Sequence, residues 1–207
     1  FPIPVPIIDS LEYVKQDDGI PMQSYDFIPI DYYIVIEFLK QYSGNKATFE
    51  SYRREIEKLL QWSYLIEKKS ILELKRQDIE HYLSFCLNPP KLWIGTKRVS
   101  RFIVVNSMRV PNPKWRPFVV AISKQEFKNG ERPNKNDYQL SQKSIREIFT
   151  VLSSFYNYLL LDEKISANPI ALIKQKSKYL QKSQQQPVVF VEKVYKSRDK
   201  VCSKGAI

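Results

Sequence analysis

Apolar residues recur at three- and four-residue intervals along four stretches of this chain, and each stretch predicts a helix. The first runs from about Tyr32 to Tyr42 and ends at Ser43-Gly44. Asn45 then caps a long second helix, about Lys46 to Ile66. Its inward face reads Phe49, Tyr52, Ile56, Leu59, Leu60 and Ser63, which leaves Arg53, Arg54, Glu57, Lys58 and Gln61 largely away from the core. A third helix, about Arg76 to Leu87, turns Ile79, Tyr82, Leu83 and Cys86 inward. The fourth, about Ser141 to Leu161, buries Ile145, Ile148, Phe149, Leu152, Phe155, Tyr156 and Leu159, while Gln142, Lys143, Arg146, Thr150 and Asn157 stay polar.

Between and around these helices the pattern changes. Residues 1–29 combine five prolines with Asp9, Glu12, Asp17, Asp18 and Asp26, which predicts an extended acidic arm that docks its apolar Phe1–Ile8 end elsewhere on the protein. Residues 88–140 lack helical periodicity, although Ile103 to Val105 and Met108 to Val110 suit a small β-hairpin. A connection of about 50 residues inside a compact domain is long enough to suggest a function of its own. Ile165 to Ile173 reads as a turn and short helix through Asn168-Pro169. From Lys174 the chain is rich in Lys and Gln, a linker with a short strand at Val188 to Val191. The expected architecture is all-α, a bundle of four main helices with a long, basic, mostly irregular insertion between the third and fourth. Its parts are an arm (1–29), a folded domain (30–180, with the insertion at 88–140) and a basic linker (181–207).

Charge sharpens this division. The net charge of +11 over 207 residues is unevenly spread. The arm is acidic, the first helical segment is neutral, and residues 88–122 carry Lys91, Lys97, Arg98, Arg101, Arg109, Lys114 and Arg116 with no Asp or Glu among them. The C-terminal segment is basic again. Neutral folded segments flanked by basic ones fit a phosphate backbone better than a uniformly basic surface would. Trp93, Phe102, Trp115 and Phe118 are interleaved with the cations, and flat aromatics among cations suit nucleic acid, whose bases can stack. The plainer reading is a solvated basic loop pinned by its aromatics.

Other chemistry is sparse. Cys86 and Cys202 are far apart without metal-type spacing, so Cys86 reads as a buried small hydrophobe and the protein as a reducing, cytoplasmic one. No segment has the length of a membrane span or the form of a secretion signal. The chain begins at Phe1 rather than Met, which points to a fragment or processed product. No paired carboxylates and no His/Asp/Ser constellation stand out, and no metal or other cofactor is expected. His81 fits a surface or helix-packing role. Ser141 and Ser144 suit helix capping, with Ser144 and Glu147 spaced as a capping box.

The order and spacing of several pieces carry a resemblance. Thr48-Phe-Glu-Ser-Tyr52, Leu59-Leu60-Gln-Trp62, Leu72-x-Leu74, Asp78-Ile79-x-x-Tyr82-Leu83, and Phe155-Tyr156-x-Tyr158-Leu159 followed by Asn168-Pro169 resemble the core-binding, SAM-like domain of tyrosine recombinases, the phage-integrase family, over about 30–180. Asn88-Pro-Pro, Trp93-Ile-Gly and Val110-Pro-Asn-Pro-x-Trp115-Arg-Pro are similar to an insertion carried by one subgroup of bacterial mobile-element integrases. The resemblance implies a SAM-like four-helix bundle that grips double-stranded DNA as half of a clamp, alongside other copies of itself. The family's Arg/Lys/His/Tyr catalytic set has no match here, so it implies no catalysis by this chain alone.

The expected DNA contacts are Lys46, Arg53, Arg54 and Lys58 on the second helix, and Lys91, Lys97, Arg98, Arg101, Arg109, Lys114 and Arg116 in the insertion. Ser141, Gln142, Lys143 and Arg146 join them at the start of the fourth helix, where orphan N–H groups and the helix dipole favour anions. The alternative is a helical protein–protein interaction module with a basic solubilising tail, which salt dependence would distinguish.

Overall fold

The computed structural model describes residues 1–15, 30–120, 122–173 and 179. The protein is predominantly helical. Its helices are α1 (Leu11–Lys15), α2 (Ile30–Lys40), α3 (Lys46–Trp62), α4 (Arg76–Leu87), α5 (Lys124–Lys128) and α6 (Gln142–Leu161). The expected first, second, third and fourth helices are therefore α2, α3, α4 and α6.

Local chemistry sets their ends. Asn45 Oδ1 accepts the Thr48 N–H at 3.1 Å and opens α3. That helix continues as one π-helical turn, Ser63–Glu67, and stops at Lys68 in the left-handed conformation (φ 59°). Asp78 accepts the Lys75 N–H at 2.7 Å to open α4, and Ser141 Oγ accepts the Ser144 N–H at 3.1 Å to open α6. The expected Ser144–Glu147 capping box does not form. The Glu147 carboxylate reaches across to Ser51 and Arg54 of α3 instead, joining two helices rather than closing one.

The core lies where α2, α3, α4 and α6 meet, filled by Phe38, Phe49, Leu59, Leu60, Trp62, Tyr82, Leu152, Phe155 and Tyr156. Buried polar groups fix its connections. Asp31, at the start of α2, accepts from Tyr64 Oη (2.7 Å), Ser70 Oγ (2.8 Å) and the Ile71 N–H (2.8 Å). Tyr156 Oη donates to the Ile71 carbonyl at 3.1 Å. The loop between α3 and α4 is thereby pinned from two helices.

Two expectations need correction. Residues 165–173 form turns rather than a helix, because Asn168 accepts the Ile170 and Ala171 N–H groups and so substitutes for helical bonding. The insertion is more ordered than expected and the fold is not purely α. A parallel pair β1 (Ile94–Gly95) and β4 (Phe118–Val119) closes its base, and β2 (Phe102–Val105) with β3 (Met108–Pro111) makes the expected hairpin. Asn106 and Ser107 turn that hairpin with positive φ at both positions, the two-residue geometry that matches strand twist. The arm docks as expected, with Ile7, Ile8, Leu11 and Val14 in the central core while Phe1 is 74% exposed. The expected strand at Val188 to Val191 lies outside the described residues.

Replacing Asp31 by Ala should strand a buried N–H and two hydroxyls and destabilise the protein by about 3 kcal/mol. A lowered urea midpoint with unchanged slope checks this, while Asp162→Ala, at an exposed pair with Lys164, should leave the midpoint in place.

Candidate nucleic-acid interface

The aromatics of the insertion face inward. Trp93, Phe102, Trp115 and Phe118 are all buried. Trp93 meets Phe85 of α4 edge to face (5.0 Å), Phe118 meets Phe85 (6.1 Å) and Tyr138 (5.6 Å), and Trp93 Nε1 donates to the Pro2 carbonyl at 3.0 Å. Trp93 and Phe118 belong to the central core, and Phe102 and Trp115 are buried against Arg109 and Arg101, so these rings are not free for base stacking.

A second surprise lies on α3. Arg53, Glu57 and Gln61 stand at i, i+4 and i+8, a stripe that in sequence reads as a solvated face. All three are buried beneath the arm. Arg53 Nη1 donates to the Asp9 carbonyl (2.8 Å), Glu57 Oε1 accepts from Ile7 N (2.6 Å) and Ile8 N (2.9 Å), and Gln61 Nε2 donates to the Val5 carbonyl (2.7 Å). The stripe thus supplies hydrogen bonds to an extended chain that has no sheet to join. On the other side of Glu57, Arg101 of the insertion pairs with Oε2 and also donates to the Ile8 carbonyl at 3.2 Å. Arg109 grips Asp9 with two bonds, 2.5 and 2.8 Å, and stacks over Tyr13 at 4.2 Å. Arm, α3 and insertion are locked by one network of opposite charges.

This network sorts the expected DNA contacts. Arg53 and Lys58 are buried, against the expectation that they face solvent. Lys58 pairs with Glu55 at 2.5 Å and lies over the Phe118 ring at 5.4 Å. Burial first, then the neighbouring Arg101 charge, push the Arg53 guanidinium down to about 10. Neither side chain has a face to offer a phosphate. Arg101 and Arg109 are held by Glu57 and Asp9. Arg54 is held by Glu55 and Glu147, and Lys46 makes an exposed pair with Glu12 at 2.7 Å. Ser141 caps α6, and Gln142 donates to the Tyr179 carbonyl at 3.4 Å. Arg116 is half-buried and donates to the carbonyls of Pro113 and Trp115.

Lys91, Lys97, Arg98 and Lys114 on the insertion, with Lys143 and Arg146 at the start of α6, remain exposed and make no ion pair with a described residue. No family model matches this chain, and neither does any curated protein or solved structure. The geometry therefore stands by itself. Its cations divide into an inner set neutralised by carboxylates and an outer set left to solvent. Sequence reading missed the two carboxylates that make the division, Glu57 and Asp9. The signal was the i, i+4, i+8 polar stripe on α3 beside a proline-rich arm whose backbone needed partners.

A second cluster of titratable groups lies between the end of the π-helical turn and α4. Glu67, Asp78 and His81 bring ligand atoms within 4.8 Å of one another. Lys69 Nζ already sits on Glu67 (3.0 Å) and Asp78 (2.7 Å), and the second Asp78 oxygen accepts the Lys75 N–H. Burial works to raise the Asp78 carboxyl, but Lys69 and the Lys75 amide hold it below the usual carboxylate range. Its stabilisation is therefore present at neutral pH and lost as pH falls through that lowered value. Lys69 supplies the positive charge a cation would bring, so the cluster is an ion-pair knot.

Glu57→Ala should leave Arg101 and two amides uncompensated and cost about 3–5 kcal/mol. Adding Arg101→Met should recover part of that loss, a coupling readable in urea unfolding of the four proteins of a double-mutant cycle. Strictly additive costs would contradict the network.

Proposed function

We propose that this chain is a DNA-binding module, the core-binding domain of a tyrosine recombinase of a mobile element, with α2, α3, α4 and α6 as its SAM-like bundle. The observation that carries the reading is the outer cation set. After the acidic arm and α3 have taken Arg101 and Arg109, the insertion still presents Lys91, Lys97, Arg98 and Lys114 without a carboxylate partner among the described residues. Those cations are mounted on a base that Trp93 and Phe118 anchor in the central core, so little ordering is needed before they meet phosphates. The N-terminus of α6 adds the positive end of a 20-residue helix beside Lys143 and Arg146. Double-stranded DNA is the partner, and other copies of the chain would assemble on it as in the family it resembles.

Replacing Lys97, Arg98 and Lys114 together by Ala should weaken binding to all duplexes and flatten the slope of log affinity against log salt by up to about 3 units. Arg101 is left intact because its loss would loosen the fold. Fluorescence anisotropy at several salt concentrations measures this. An unchanged slope would move the DNA surface elsewhere, and no binding at low salt would favour the protein–protein module.

The chain alone should form no covalent link to DNA. Phosphoryl transfer through a tyrosine needs cations clustered on one phosphate and the nucleophile in line with it. His81 is exposed on α4, and Tyr52, Tyr82, Tyr156 and Tyr158 are helix-packing residues. A nicked suicide substrate should give no adduct on a denaturing gel. An adduct abolished by one Tyr→Phe change would contradict the reading.

A further inference from the structure

The β2–β3 hairpin has two unlike faces. Its register pairs Phe102 with Pro111, Ile103 with Val110, Val104 with Arg109 and Val105 with Met108. Directly opposed residues share a face, so Phe102, Val104, Arg109 and Pro111 lie on one side and Ile103, Val105, Met108 and Val110 on the other. The first side is anchored, with Phe102 buried and Arg109 bound to Asp9 and set over the Phe102 ring at 5.5 Å. The second is apolar throughout. Exposure rises toward the tip, from half-buried Ile103 and Val110 to Val105 at 45% and Met108 at 65%; on the opposite face Val104, next to the tip, is 67% exposed. Asn106 and Ser107 cap the tip, both exposed. A hairpin rooted this firmly but apolar at its free end is shaped to meet something.

Charge decides what. Among the described residues, the carboxylates that pair with the hairpin's arginines are Asp9, on Arg109, and Glu57, on Arg101. Residues 88–122 otherwise add only cations, Lys91, Lys97, Arg98, Lys114 and Arg116. A second copy meeting this face would bring like charges together, whereas a polyanion is attracted to it. Two paired strands about 4.8 Å apart fit a major groove about 12 Å wide, which admits a two-stranded ribbon. The apolar feature that groove presents is the thymine C5-methyl group.

We propose that the hairpin enters the major groove of duplex DNA and reads thymine methyl groups through Val105 and Met108, with Asn106 and Ser107 at the base edges. This rests on the reading of the insertion as DNA-binding and assigns its sequence preference to a particular surface. The outer cations hold phosphates whatever the sequence, and the hairpin discriminates. RNA, whose uracil lacks the methyl, is disfavoured at this surface.

The test compares two short A/T-rich duplexes that are identical except that one carries deoxyuridine in place of thymine. The intact chain should bind the thymine duplex more tightly by about fourfold for each methyl group contacted, the equivalent of burying one methylene-sized group. The Val105→Ser/Met108→Ser chain should bind both duplexes equally, at the affinity of the intact chain for the deoxyuridine duplex and with an unchanged salt slope. Both positions are exposed, and an unaltered circular dichroism spectrum confirms folding. If that variant misfolds, the thymine/deoxyuridine comparison on the intact chain decides alone. Equal binding of both duplexes by the intact chain overturns the hairpin assignment and leaves the DNA-binding reading standing. No binding to either overturns both. A concentration-dependent dimer in sedimentation that the double substitution abolishes would assign the face to a second copy instead.

Discussion

The buried carboxylate of Glu57 holds three parts of this protein in register. Its two oxygens accept two arm amides and an insertion guanidinium, so α3, the N-terminal arm and the basic insertion meet at one side chain. A carboxylate taken this far from water is costly to bury, and charge-assisted bonds on every side are what make it tolerable. The consequence reaches outward. Because Arg101 is fixed at its root and Arg109 is fixed to Asp9, the hairpin between them has a defined direction, and the aromatic base formed by Trp93, Trp115 and Phe118 stays packed. Arg101 itself bridges the two systems, with its guanidinium 4.7 Å from the Trp115 ring.

This arrangement gives the net charge a structure. Spread over the sequence, +11 looks like a general affinity for polyanions. In the fold, one group of cations is internal and serves cohesion, and another faces outward. Asp9 of the arm and Glu57 of α3 serve as counterions of the insertion's inner arginines. Among the described residues, no carboxylate pairs with Lys91, Lys97, Arg98 or Lys114. The same chain segment therefore carries its own stabilising pairs and a surface suited to phosphates, and the two uses involve different residues.

The helices were legible because their apolar spacing is strong and their caps are ordinary. Asn45 and Ser141 open helices where the sequence predicts, and Arg76 to Leu87 is helical throughout its predicted length. The hairpin was legible from the short runs Ile103 to Val105 and Met108 to Val110 separated by Asn106-Ser107. What the sequence concealed was long-range. A polar stripe on a helix looks the same whether water or an extended chain satisfies it, so Arg53, Glu57 and Gln61 read as surface until the arm is seen over them. Likewise aromatics among cations look like a stacking platform, and only the parallel pairing of Ile94-Gly95 with Phe118-Val119 turns them into a core. Both errors arise from contacts between residues far apart in the chain, which periodicity cannot report.

Amide hydrogen exchange with and without duplex DNA tests the central claim most directly, because it reads the internal lock and the external surface in one experiment. In the free protein the amides of Ile7 and Ile8, both bound to Glu57, should already be protected, as should α3. Adding duplex should slow exchange in the hairpin, in the loops carrying Lys97, Arg98 and Lys114, and at the start of α6, while leaving α3 around Arg53 and Lys58 unchanged. Fast exchange at Ile7 and Ile8 in the free protein, or DNA-induced protection centred on α3 with none in the insertion, would contradict the account.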